Sequence, residues 1–238
     1  MDFDNESLLK CFVDEEEEKG IIEWNKENDH SRSDIFEYRL EEADKLREEG
    51  NVCFKDGDYA TALQRYFSAV WHLDFDVGQQ WNMMDHHQLD LNMRKLKVIG
   101  NICATYLKQE DFVRVKSAAD VGLRHMKKAE LTDKDAAVKF HYRKGLANTE
   151  RGLFDYAVED LKAASALAPA DKQVRMALAE ALKGKKSDSL KEREVWKNRL
   201  LSEDEKSCQG SPWSLAVQRA RCSLRWRRFC GRRREKAA

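Results

Sequence analysis

Five polar residues sit at spacings that could hold an anion: Arg47 and Asn51, Asn101, and Lys139 and Arg143. On a helix, residues four apart lie one turn apart on a single face, so Arg47 with Asn51, and Lys139 with Arg143, each project from one stripe. Arg47, Lys139 and Arg143 would supply charge. Asn51 and Asn101 would donate through their amides without adding positive repulsion. Such a set suits an anionic ligand. Any single Lys or Arg on a helix is ordinarily a solvated charge, so the five act together only if a fold brings three segments to one place. Asparagine is a mediocre helix former, and its presence mid-helix at positions 51 and 101 asks for a reason.

The elements that would do the positioning are repeats. Aligning Gly50, Cys103 and Gly145 puts the flanking residues in step, which is the test for internal repetition. The first unit runs Leu46, Gly50, Phe54, a Gly57-Asp58 turn, then Tyr59, Ala62, Tyr66 and Ala69. The third runs Gly145, Gly152, Phe154, Ala157, Leu161 and Ala164, and closes at Pro169. Asn101, Cys103, Tyr106, Phe112, Val115, Ala119 and Gly122 form a degenerate middle unit. Two antiparallel helices approach closely where a small residue on one meets a large side chain on the other, and a single hairpin cannot bury its apolar face alone. Stacked hairpins leave a concave groove lined by the first helix of each pair. The pattern resembles the tetratricopeptide repeat (TPR), and the fold class expected is all-α: three TPR helical hairpins plus a C-terminal capping helix, a right-handed α-solenoid.

Within that fold the five polar positions resemble the carboxylate clamp of co-chaperone TPR domains. Those domains bind the C-terminal Glu-Glu-Val-Asp tail of cytosolic heat-shock chaperones of the ninety- and seventy-kilodalton classes. The resemblance implies that Arg47, Asn51, Asn101, Lys139 and Arg143 bind the peptide carboxylates, with affinity on the order of micromolar. Arg47 stands where the family usually has lysine. The long insertion after the first unit and the helix running into 191–196 look most like the large immunophilins and the aryl-hydrocarbon-receptor-interacting class, over residues 39–201. The segment before the repeats is too short and too acidic for the isomerase domain that precedes them in immunophilins. No catalysis is therefore carried over.

Charge is balanced but lopsided: 43 Lys and Arg offset 43 Asp and Glu over 238 residues, with acids concentrated at the start and arginines at the end. Residues 1–33, with the run Asp14 to Glu18, read as an acidic, disordered segment; 34–203 as the TPR domain with its capping helix; 204–238 as a linker and basic tail. Asp34 with Glu37 reads as a capping box opening the first repeat helix, which ends near Asp56-Gly57. Asp171 would cap the last helix, with an interruption at 184–189. Residues 213–230 interleave Trp213, Leu215, Val217, Leu224, Trp226 and Phe229 with arginines. If helical, they suit calmodulin. A basic tail without a partner is an equal reading, with lipid and nucleic acid behind both.

No stretch approaches the roughly twenty apolar residues of a membrane span. The six cysteines show no Cys-x-x-Cys spacing, and His86-His87 lacks ligands at zinc spacing. With no phosphate loop and no nucleophile set, no cofactor, metal, small-molecule substrate or enzymatic activity is expected. A cytoplasmic, optionally nuclear, adaptor is the leading expectation. A scaffold binding an internal segment of a non-chaperone partner, or a regulatory remnant of a prolyl isomerase, is the alternative.

Overall fold

The computed structural model describes residues 7–81 and 83–208. Two compact units divide at Lys185/Lys186. The first contains a 3-10 turn at Leu9–Cys11 and then α1 (Glu15–Glu27), α2 (Phe36–Asp56), α3 (Tyr59–Leu73), α4 (Val77–Trp81), α5 (Asp85–Lys108), α6 (Phe112–Lys128), α7 (Lys134–Glu150) and α8 (Phe154–Leu167). The last helix, α9 (Lys172–Cys208), begins in this unit. No strand occurs among the described residues, in line with the all-α expectation.

Helices pair as the repeat predicts: α2 packs on α3, α5 on α6 and α7 on α8. The small-against-large rule explains each crossing. A Cβ on Gly50 would stand 2.6 Å from the Tyr66 ring, and one on Gly145 would stand 2.5 Å from Leu161. Between the second and third hairpins, a Cβ on Gly122 would meet the Phe140 ring at 2.5 Å. Cys103 does the same work in the middle hairpin. It is fully buried, with Sγ donating to the Val115 carbonyl at 3.7 Å. Gly57 turns the first hairpin at φ 83°, a left-handed conformation that glycine adopts without a Cβ penalty. The second helix of each of the first two pairs is capped by an aspartate: Asp58 accepts from the Thr61 amide and Asp111 from the Arg114 amide.

The amino-terminal segment differs from the disorder expected of it. Asp14 and Glu17 form a capping box at the start of α1, and the run of acids lies in the first turn, where the helix dipole favours negative charge. Ile21 and Asn25 turn inward from α1, and Leu9 is fully buried. Asn25 Nδ2 donates to the Ser68 hydroxyl of α3 at 2.9 Å and to the Ile21 carbonyl at 2.7 Å. Trp24 lies beneath the Arg65 guanidinium, 4.1 Å from its ring centroid. One polar residue with a buried partner thus replaces an apolar anchor, which is why apolar periodicity alone misses the helix.

Two boundary expectations are also corrected. Ile35, not Asp34, is the N-cap of α2, and it makes no side-chain cap. The Asp34 carboxylate instead acts on the cations Arg32 and Arg39. The expected break at 184–189 is absent, because α9 is continuous. Gly184 is instead a close approach to the Phe154 ring. Asp171 does cap α9, accepting from the Gln173 amide at 2.8 Å. Val174, Ala177 and Ala181 are buried, and the last two join a cluster with Ala157, Val158 and Leu161 of α8. In the second unit the described residues continue α9 to Cys208. The tail at 213–230 lies outside the described residues.

Candidate peptide-binding groove

The first helices of the three hairpins are neighbours, α2 touching α5 and α5 touching α7. The five polar residues lie on these helices. At their centre is a side-chain bridge between repeats: Asn101 Nδ2 on α5 donates to Asn51 Oδ1 on α2 at 2.8 Å. The Tyr66 hydroxyl donates to the same oxygen at 2.9 Å. Two donors on one oxygen fix which way the amide faces, so Asn51 Nδ2 is left as the outward donor. The mid-helix asparagines therefore have a structural reason: they cross-link the first two repeats and orient one another.

Arg143, on α7, reaches α5 and donates from Nη1 to the Gly100 carbonyl at 2.8 Å, next to Asn101. Its charge also lies beside Cys103, whose thiol burial nevertheless pushes up to about 11. Arg47 lies on α2 one turn before Asn51. Its Nε is 3.4 Å from an Asp44 oxygen and its Nη2 is 3.3 Å from Glu48. Burial drives the Tyr66 phenol up to about 12, although the Arg47 charge works against that rise. Arg47, Asn51, Asn101 and Arg143 are thus gathered around one inter-repeat junction. Lys139 is exposed, one turn before Arg143, and makes no ion pair among the described residues.

Three participants were not singled out in the sequence. Tyr66 was read as a packing aromatic, yet its hydroxyl orients Asn51. Asp44 and Arg94 form an ion pair between α2 and α5, and Arg94 Nε also lies 3.2 Å from Asp90. Arg94 is seven residues before Asn101, two turns along the same face, and that spacing was the available signal. The α2 end of the groove consequently carries acid as well as base. Among the described residues there is no group of three or more His, Cys, Asp or Glu side chains that could hold a metal ion. No helix among them is long and apolar enough to cross a membrane.

Paired antiparallel helices with small residues at their crossings define a tetratricopeptide-type solenoid. The C-terminal TPR-containing domain of an FK506-binding protein of Plasmodium falciparum superposes with a TM-score of 0.55 at 21% identity, covering 65% of this chain and 95% of that one. In sequence the chain is similar to the peptidyl-prolyl cis-trans isomerase FKBP42 of Arabidopsis thaliana, 27% identical over 176 residues, which is 74% of this chain and 46% of the relative. It is also similar to peptidyl-prolyl cis-trans isomerase D of Kluyveromyces lactis, 29% identical over 147 residues, 62% of this chain and 38% of the relative. The chain spans less than half the length of these curated relatives. No family model matches it.

Proposed function

We propose that the protein is a non-catalytic co-chaperone adaptor of the cytoplasm or nucleus. Its groove takes the C-terminal Glu-Glu-Val-Asp tail of a cytosolic heat-shock chaperone, of the ninety- or seventy-kilodalton class. The observation that carries this reading is the Asn101 to Asn51 bond at 2.8 Å. It joins two repeats into one donor surface, with the Arg143 guanidinium anchored at the adjoining Gly100 carbonyl and Arg47 one turn away. An aspartate chain end presents two carboxylates, and each hydrogen bond to such a charge contributes about 1.5–3 kcal/mol. Lys139, unpaired among the described residues, is the cation with least to give up on binding.

A second reading, a groove for an internal segment of a non-chaperone partner, is favoured by Asp44 and Glu48 already occupying Arg47. A groove with acid at one end would also accept a basic or neutral segment. Titrating the protein with a peptide ending Glu-Glu-Val-Asp separates the two. The clamp reading expects saturable micromolar binding that Lys139→Ala and Asn51→Ala each weaken by roughly ten-fold or more. Binding that neither substitution changes, or no binding, would overturn it.

A further inference from the structure

A second site lies away from the groove. A cleft of about 1710 Å³ is lined by the turn before α1, the loop after α3, and α5 and α6, and none of the five groove residues borders it. On its wall is Lys95, 6% exposed, whose ammonium makes no hydrogen bond or ion pair among the described residues. Buried lysines are ordinarily paired, since taking an unpaired ammonium out of water is costly. Arg39, 1% exposed, lines the same cleft. Its Nε donates to the His72 carbonyl at 2.8 Å and its Nη2 to the Asp74 carbonyl at 2.8 Å, while its plane lies 3.5 Å from the Phe75 ring centroid. Those acceptors are neutral carbonyls, and the carboxylates of Asp74, Asp34 and Asp76 attract the Arg39 charge from nearby.

The charge around Lys95 points to what is missing. One carboxylate, Asp74, attracts it, while two cations, Arg39 and Lys128, repel it. Burial and that repulsion together lower the Lys95 amine to about 8. His125, beside it, is neutral at physiological pH, because burial holds it down to about 4; its Nε2 lies 3.2 Å from the Asn92 carbonyl. The cleft has Trp71 and Leu89 on its walls and carboxylates such as Asp34 and Asp76 on its rim, but the buried Lys95 ammonium has no partner among the described residues, and an anion entering from the cleft would supply one. We propose that this cleft binds a small molecule bearing a phosphate or carboxylate, its anionic group seated against the Lys95 ammonium.

The test uses the full-length protein and pyridoxal 5′-phosphate as the probe, an aldehyde that carries its own phosphate. Its aldehyde condenses with an unprotonated lysine amine to an imine with loss of water, and borohydride then reduces the imine to a stable secondary amine, so peptide mapping reads which lysines reacted. The expected result is modification of Lys95 well ahead of the exposed Lys97 and Lys108. Inorganic phosphate, citrate and sodium chloride at matched ionic strength form three competing arms. Protection of Lys95 by phosphate alone assigns a phosphate-bearing ligand, by citrate alone a carboxylate, and by both a general anion site. Modification of Lys95 no faster than Lys97, no protection, or equal protection by chloride would overturn the proposal. A second readout needs no labelling. Lys95→Met removes an unpaired buried charge, so it should raise the melting temperature while abolishing any rise that phosphate or citrate produces in the parent protein. Equal anion-dependent rises in both proteins would contradict the assignment.

Discussion

Tyr66→Phe isolates the orientation of Asn51 from direct contact with a ligand. The ring is 1% exposed and fills the space above Gly50, so phenylalanine keeps the packing and removes one donor from the Asn51 oxygen. What remains is the bond from Asn101 at 2.8 Å. A neutral hydrogen bond contributes about 0.5–1.5 kcal/mol net, and its loss lets the Asn51 amide turn its oxygen toward the groove in a fraction of molecules. A loss of about 1 kcal/mol corresponds to about five-fold in affinity. Isothermal titration with a peptide ending Glu-Glu-Val-Asp should therefore show a several-fold weaker dissociation constant for Tyr66→Phe. The melting temperature should fall by a few degrees, about 2–4 °C per kcal/mol for a domain of this size. A lower melting temperature with unchanged peptide affinity would refute the claim that the tyrosine orients a binding group.

Three further outcomes follow from the packing and the buried groups. Gly50→Ala pushes a methyl against Tyr66 at 2.6 Å and should lower thermal stability despite the helix-propensity gain, whereas Gly20→Ala in α1, with nothing within 4 Å, should raise it by up to about 1 kcal/mol; thermal melts of the pair check both signs. Leu9→Ala should cost about 2–5 kcal/mol in urea unfolding, because Leu9 is fully buried under a segment whose composition reads as disordered; no loss would mean that the segment contributes nothing to the fold. His72 is held down to about 4, chiefly by burial, and His125 likewise. Both are neutral in the folded state, so the stability they contribute is complete above about pH 6.5 and is lost as pH falls toward 4. The urea midpoint should drop between pH 6.5 and 5, and a flat profile would count against it.

The hairpins were legible because their crossings are written in residue size. Gly50 against Tyr66 and Gly145 against Leu161 need only a spacing rule to be found, and the Gly57 turn is equally local. The amino-terminal helix was not legible, since it docks through Asn25 on Ser68 and through Trp24 under Arg65, polar and cationic contacts that leave no apolar period. The capping box expected at Asp34 formed at Asp14 instead, where the same residue types precede a run of helix formers. The sequence put Arg47, Asn51, Asn101, Lys139 and Arg143 on the first helices of the hairpins, and they lie on α2, α5 and α7. It could not show that Asn51 and Asn101 bond to each other, or that Asp44 and Glu48 already hold Arg47. Those depend on side-chain directions across a repeat boundary. Nothing in the sequence marks Lys95 off from the other lysines, and its burial follows from the packing of α3, α5 and α6 rather than from its neighbours in sequence.

A groove that takes a peptide by its chain end must distinguish a free carboxylate from a blocked one. The most direct measurement compares two peptides of identical sequence ending Glu-Glu-Val-Asp, one with a free C-terminal carboxylate and one amidated, titrated into the same protein at the same ionic strength. Amidation removes one of two anions and the charge-assisted bonds it accepts, about 1.5–3 kcal/mol each, so the amide should bind at least roughly ten-fold more weakly. Equal affinity for the acid and the amide would contradict carboxylate capture by Arg47, Asn51, Asn101, Lys139 and Arg143.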